Sequence, residues 1–210
     1  MSNGRVHVYV DGFNLYYGLK DTKKKQLYWL DIRSFMESFL SKRGFVSLDI
    51  DYFTATPLIN VGKIERHTVY CKALTNAKVN VVYGQYKAKE IICRNCGAHI
   101  KSYEEKETDV NIALRLVSDA ADKKFDTAIL FSGDSDLAPA VDLAVKLGGR
   151  VLILFPLNRN RSMRLKKTAA TCLDTYENLY KKNQFPDRIQ LPNHEWIERP
   201  ARWSSGSLWH

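Results

Sequence analysis

Three scarcities in the sequence exclude whole classes of protein. Its 210 residues include only four cysteines, too few for a secreted disulfide scaffold. No run approaches the roughly 20 apolar residues of a membrane-spanning helix, and no signal peptide is evident ahead of the first apolar stretch. We therefore expect a cytoplasmic protein with reduced cysteines and no place in a membrane.

Acidic residues are also scarce relative to basic ones, at 23 Asp and Glu against 32 Lys and Arg. The formal net charge of +9 favours polyanionic partners such as nucleic acid. A basic protein without such a partner is the alternative. The chain also lacks a G-x-G-x-x-G motif, which counts against the usual dinucleotide-binding mode.

Apolar periodicity predicts strands that alternate with helices. The runs at 5–10, 127–131 and 150–155 are typical of buried strands, and residues 110–121 repeat their apolar positions at helix spacing. Hydrophobic residues make up 45% of the chain, enough for a sizeable core. The alternation predicts an α/β fold with a central, mostly parallel sheet and helices on both faces.

The predicted domain spans residues 1–180 and includes a protruding hairpin at about 86–104. Residues 181–210 lack a clear period and are predicted to form a tail docked on the domain. Exposed tryptophans invite association, so we expect those of the tail to be covered by the domain or by a second copy in a homodimer. These are Trp196, Trp203 and Trp209.

Aspartates occur where elements of the predicted sheet end or begin. Asp11 follows the first strand, Asp134 and Asp136 follow a later strand, and Asp109 opens a helix. Parallel α/β sheets bind ligands at the carboxyl ends of their strands, so these acids are expected at one edge. Clustered carboxylates repel unless a cation lies between them, and Mg²⁺ or Mn²⁺ prefers oxygen ligands. Helix capping is the alternative reading of Asp109 and Asp136.

Four segments resemble, in order, the NYN domain family, also called LabA-like or DUF88, of the PIN-like nuclease superfamily. They are VYVDGFNLYYGL (8–19), EKETDVNIAL (105–114), AILFSGDSDLAPAV (128–141) and GGRVLILFP (148–156). The resemblance implies a PIN-like three-layer sandwich and a metal-dependent ribonuclease. A branch of the family linked to hydroxylation of a pyridine compound leaves a hydroxylase or monooxygenase as one alternative, and a non-catalytic RNA-binding or regulatory module is another.

The resemblance also implies roles for individual residues. Asp11, Asp109 and Asp134 would bind Mg²⁺ or Mn²⁺, and Asp136 would support them. Asn14 would help to shape the catalytic site. Ser132, the small polar residue of the S-G-D-S-D motif, would contact RNA.

A basic segment, NRNRSMRLKK at 158–167, directly follows a predicted strand and is expected to contact RNA phosphates. A solvated helix face is the alternative. Its basic residues are Arg159, Arg161, Arg164, Lys166 and Lys167. Nearer the N-terminus, Tyr16, Tyr17 and Trp29 could stack on bases or pack in the core.

The pair Cys93 and Cys96 in the predicted hairpin has the spacing of a zinc knuckle. Such a knuckle supplies two zinc ligands, and the other two are not at a standard spacing. His67, Cys71 and His99 are candidates to complete a structural Zn²⁺ site. Two reduced thiols in a turn are the alternative.

Overall fold

The structure is a computed structural model that describes residues 4–41, 45, 47–92, 95–97 and 99–204. Within these residues the strands are β1 (Arg5–Asp11), β2 (Ser47–Thr54), β3 (Asn80–Tyr83), β4 (Gln85–Ile92), β5 (His99–Lys106), β6 (Thr127–Phe131), β7 (Val151–Phe155), β8 (Thr171–Asp174), β9 (Arg188–Gln190) and β10 (Trp196–Glu198). The α-helices are α1 (Gly12–Asp21), α2 (Ile32–Leu40), α3 (Val61–Asn76), α4 (Thr108–Ala121), α5 (Ala138–Lys146), α6 (Met163–Thr168) and α7 (Glu177–Lys182). Single 3₁₀ turns lie at Lys25–Tyr28, Ser135–Leu137 and Ala201–Trp203.

Six strands form the central sheet in the order β3-β2-β1-β6-β7-β8, and every neighbouring pair is parallel. β1 is buried from Val6 to Asp11, as expected for a central strand covered on both faces. The chain adds β2 and β3 on one side of β1 and later adds β6, β7 and β8 on the other. Open α/β sheets bind ligands in the crevice at such a reversal, which here lies at the carboxyl ends of β1 and β6.

Helices cover both faces of the sheet, which confirms the predicted layers. One core lies between the sheet and helices α1, α2, α3 and α7, and the second lies under α4, α5 and α6. The apolar stripe of α2 places Ile32, Phe35 and Met36 in the first core, all fully buried. Phe35 stacks on Phe131 of β6, with ring centroids 5.5 Å apart. None of the helices described is both long and apolar enough to span a bilayer.

The predicted hairpin is present as an antiparallel pair, β4 and β5, outside the central sheet. Cys93 lies outside the described residues, so the Cys-x-x-Cys knuckle stays a prediction, and Cys96 is exposed. Two of the candidate completing ligands lie within the domain on α3. His67 Nε2 is 3.7 Å from Cys71 Sγ and 2.9 Å from Thr54 Oγ1. The third, His99, pairs with Ile92 on the hairpin.

Residues 183–204 pack against the first core. Phe185, Ile189 and Ile197 are buried there together with Trp203. Trp196 is 50% exposed, so the domain itself leaves half of this side chain uncovered. Neighbours in a strand point to opposite sides, and in β10 the inward position is taken by Ile197. Trp209 lies outside the described residues.

Candidate active site

Asp11 ends β1 and caps α1. The backbone N–H of Asn14 donates to Asp11 Oδ1 at 2.9 Å, and Asp11 is only 3% exposed. The tight turn depends on Gly12, because a Cβ at this position would lie 2.5 Å from the carbonyl oxygen of Phe53 in β2. The first acid of the predicted site is therefore held rigidly at the end of the central strand.

Ser132 connects Asp11 to the next acidic turn. It directly follows β6, is fully buried, and its hydroxyl donates to Asp11 Oδ2 at 2.7 Å. Ser132 Oγ in turn accepts the backbone N–H of Asp134 at 3.0 Å. The hydroxyl predicted to touch RNA is thus used inside the protein, where it joins the two sides of the crevice.

Asn14 makes a second connection across the crevice. Its Oδ1 accepts the backbone N–H of Gly133 at 3.0 Å, and Asn14 is nearly buried. Gly133 also lies against the loop after β7, because a Cβ here would be 2.7 Å from the carbonyl oxygen of Asn160. Three segments of the chain therefore meet at the carboxyl ends of β1, β6 and β7.

Asp134 caps the 3₁₀ turn at Ser135–Leu137, since its Oδ1 accepts the backbone N–H of Asp136 at 2.9 Å. The capping role that the sequence suggested for Asp136 therefore belongs to Asp134. The physical reason is that the acid at the strand end reaches the first free N–H of the turn. Asp134 is half-buried and Asp136 is exposed. Among the residues that the structure describes, no partner is found for Asp134 Oδ2.

Asp109 lies exposed in the first turn of α4. The start of this helix is at the carboxyl edge of the sheet, because a Cβ on Gly84, just after β3, would be 2.8 Å from Thr108 Oγ1. The far end of α4 places Asp119 against Tyr9 of β1. Asp109 therefore shares an edge with Asp11, and a direct role beside it stays a prediction.

The predicted basic segment borders the acidic turn. Helix α6 contacts the 3₁₀ turn at Ser135–Leu137, and its exposed cations are Arg164, Lys166 and Lys167. The two arginines before it are partly neutralised by acids. Arg159 Nη1 lies 3.7 Å from Asp21 Oδ2, and Arg161 Nε lies 2.8 Å from Asp174 Oδ1.

A second acidic cluster was not predicted. His7, Asp51 and Asp119 are buried and offer ligand atoms within 4.8 Å of one another, so this cluster could hold a metal ion. His7 precedes Asp11 by four residues, or about 13 Å along β1, which separates the cluster from the crevice. The only local signal was the alternation V-H-V-Y-V in β1, which puts His7 on the face opposite the valines.

Internal cations already balance these carboxylates. Arg115 Nε lies 3.2 Å from Asp51 and 3.0 Å from Asp119, and Lys124 Nζ lies 2.9 Å from Asp119. Burial by itself would raise the pKa of Asp51, but hydrogen bonds from His7 and Asn80, together with electrostatic attraction to His7 and Arg115, lower this pKa. A metal ion would have to compete with this ionised network. We therefore take the crevice as the candidate active site.

The chain is thus an α/β protein with acidic residues at the point where its strand order reverses. The NYN domain family matches residues 5–177. The chain belongs to that family, which lies within a nuclease superfamily.

A curated relative is 6-hydroxy-3-succinoylpyridine 3-monooxygenase HspA of Pseudomonas putida, 26% identical over 176 residues. The match covers 66% of this chain and 55% of that relative. The chain therefore spans about half the length of the relative. Among solved structures, VPA0982 of Vibrio parahaemolyticus, a protein of unknown function, is 18% identical with a TM-score of 0.53. That match covers 84% of this chain and 95% of the other, and it supports the fold alone.

Proposed function

We propose that the chain is a metal-dependent ribonuclease with its active site at the crevice between β1 and β6. The observation that supports this most is the hydroxyl of Ser132, which ties Asp11 to the turn of Asp134 through hydrogen bonds of 2.7 and 3.0 Å. This bond network sets the first acid beside the second acidic turn, and a cation bound between carboxylates of the two turns would offset their mutual repulsion. The turn after β6 carries two acids, Asp134 and Asp136, although Asp134 alone is enough to cap it.

Carboxylate oxygens at the crevice are the kind of donor atom that a hard divalent cation prefers. Asp11, Asp109 and Asp134 would hold Mg²⁺ or Mn²⁺, since both ions prefer carboxylate oxygens and retain water ligands. Such a cation, when bound, activates a water molecule and offsets the charge of the scissile phosphate. The cap on Asp134 uses Oδ1 and leaves Oδ2 for this purpose.

The other residues of the crevice would position the RNA and the water. Ser132 holds the Asp11 carboxylate in one orientation. Asn14 has its Oδ1 occupied by Gly133, so its amide nitrogen is the atom that could donate to a phosphate. Asp136, exposed beside Asp134, would orient the attacking water. The exposed cations of α6 would bind neighbouring phosphates.

The test is cleavage of mixed single-stranded and structured RNA by purified protein with Mn²⁺, Mg²⁺ or EDTA. Asp11→Asn and Asp134→Asn keep the capping oxygens but remove the charge. Each should lower cleavage by more than the roughly 10- to 100-fold typical of a residue that only supports a metal site. Asp136→Asn should lower it less. Asp142→Asn, on α5, is the matched control and should leave activity unchanged.

Two results would contradict the proposal. One is wild-type protein that cleaves no RNA in either metal, and the other is an Asp134→Asn variant as active as wild type. Binding of RNA without any cleavage would favour the non-catalytic module instead.

The name of the curated relative supports a second candidate, oxidation of a small pyridine-type compound. This is tested by incubating the protein with such a compound, a reduced nicotinamide cofactor and dioxygen, and looking for a hydroxylated product by mass spectrometry. A product that depends on the protein would favour this function over RNA cleavage.

A further inference from the structure

A cleft of about 700 Å³ opens beside the acidic crevice, within the size range of ligand sites. Gly12, the residue after Asp11, is among the residues that line it. Its walls come from α1, α3, the loop at 55–60, the β4–β5 hairpin and the 3₁₀ turn at Ala201–Trp203. The catalytic residues proposed above leave this cleft without a role.

Aromatic rings line the cleft and are partly open to solvent. Tyr16 is 40% exposed and Tyr17 is 45% exposed, with their ring centroids 5.5 Å apart. The ring centroid of Tyr28 lies 5.5 Å from that of Tyr16. Tyr86 of the hairpin meets Phe13 edge to face, with ring centroids 6.2 Å apart. Lys20 Nζ lies 5.5 Å from the centroid of the Tyr17 ring, so a cation accompanies the aromatic surface. Several partly exposed rings in one cleft suit a planar ligand, which can stack on them.

Positive charge surrounds these rings. The lining includes six cationic side chains from separate parts of the chain, and among the described lining residues there is no aspartate or glutamate. They are Lys20, Lys23, Lys25, Lys63, Arg66 and Arg202. A small aromatic anion needs one or two cations at one point, whereas cations spread along a rim match a chain of phosphates.

We propose that the cleft binds an unpaired nucleotide of the RNA, with its base against the tyrosines and the neighbouring phosphates against the rim. The proposal rests on the proposed function, because it extends the RNA path from the crevice into the cleft. A base within a duplex is stacked on its neighbours and cannot enter such a site. The ribonuclease would therefore select single-stranded segments.

Binding measured in EDTA tests the cleft separately from cleavage. The probe is a fluorescently labelled single-stranded RNA of about ten nucleotides, within the site sizes of single-strand binders. The double variant Tyr16→Leu/Tyr17→Leu keeps apolar bulk and removes two stacking faces. It should bind about 5- to 150-fold more weakly, the loss expected for one stacked base. The matched control, Tyr176→Leu, changes a 61% exposed tyrosine outside the cleft and should bind as wild type.

A single Tyr17→Leu variant repeats the measurement with a smaller change to the fold. Lys63→Ala should reduce the slope of log affinity against log salt by about 0.7, the value for one phosphate contact on a single strand. Lys146→Ala, on α5, is its control. A duplex of the same sequence should bind more weakly than the single strand.

Unchanged affinity in both tyrosine variants would overturn the inference, as would equal binding of the duplex. Binding of the pyridine carboxylate nicotinate that the tyrosine changes abolish, with RNA binding unaffected by the same changes, would assign the cleft to a small aromatic anion instead. If the tyrosine variants lose RNA binding but wild type cleaves nothing, the cleft stands and the ribonuclease proposal fails. If wild type cleaves RNA and the tyrosine variants bind RNA normally, the ribonuclease proposal stands and the inference about the cleft fails.

Discussion

Replacing Ser132 with alanine tests the connection between the two acidic turns. The change removes a fully buried hydroxyl that donates to Asp11 at 2.7 Å and accepts from the Asp134 N–H at 3.0 Å. A hydrogen bond to a charged group contributes about 1.5–3 kcal/mol, and a neutral one about 0.5–1.5 kcal/mol. The free energy of unfolding should therefore fall by about 2–4 kcal/mol.

Thermal unfolding followed by circular dichroism in EDTA measures this effect. For a chain of this size, 1 kcal/mol shifts Tm by about 2–4 °C, so Ser132→Ala should lower Tm by roughly 4–16 °C. Ser135→Ala, an exposed serine three residues further on, is the matched control and should stay within about 0.5 kcal/mol of wild type. RNA cleavage should fall as well, because Asp11 loses the group that orients it. A Tm indistinguishable from that of the control would refute the proposed connection.

Further predictions concern the turn, the buried charges and the cysteine pair. Gly133→Ala should lower both Tm and RNA cleavage, because the new Cβ would lie 2.7 Å from a carbonyl oxygen of the loop after β7; normal values for both would contradict this packing. The pKa of Asp51 is lower in the folded than in the unfolded protein, so its contribution to stability is present at neutral pH and is lost as pH falls below about 4 towards the folded pKa. Urea unfolding at several pH values should therefore show a weaker acid dependence for Asp51→Asn than for wild type, whereas Asp49→Asn, exposed on the same strand, should behave as wild type. If Cys93 and Cys96 bind zinc, protein prepared without chelator should contain near-stoichiometric metal by atomic absorption and lose it in Cys93→Ser; protein free of zinc would disprove the site.

Local patterns in the sequence were enough to predict much of the fold. The β-branched run of β1 and the helix spacing of residues 110–121 depend on which side chains face a core, and that requirement repeats along each element. The position of Asp11 at the end of β1 followed from the same pattern. A general property of parallel sheets then placed it at the edge where ligands bind.

The contacts between elements were decided by tertiary structure alone. The burial of Ser132 and its bond to Asp11 depend on how closely β1 and β6 approach. The cluster of His7, Asp51 and Asp119 joins two strands and a helix that are distant in the sequence. The register between neighbouring strands and the rotation of a helix over a sheet determine which side chains meet, because a shift of one residue turns every side chain of a strand to the other face. No local period in the chain encodes those two quantities.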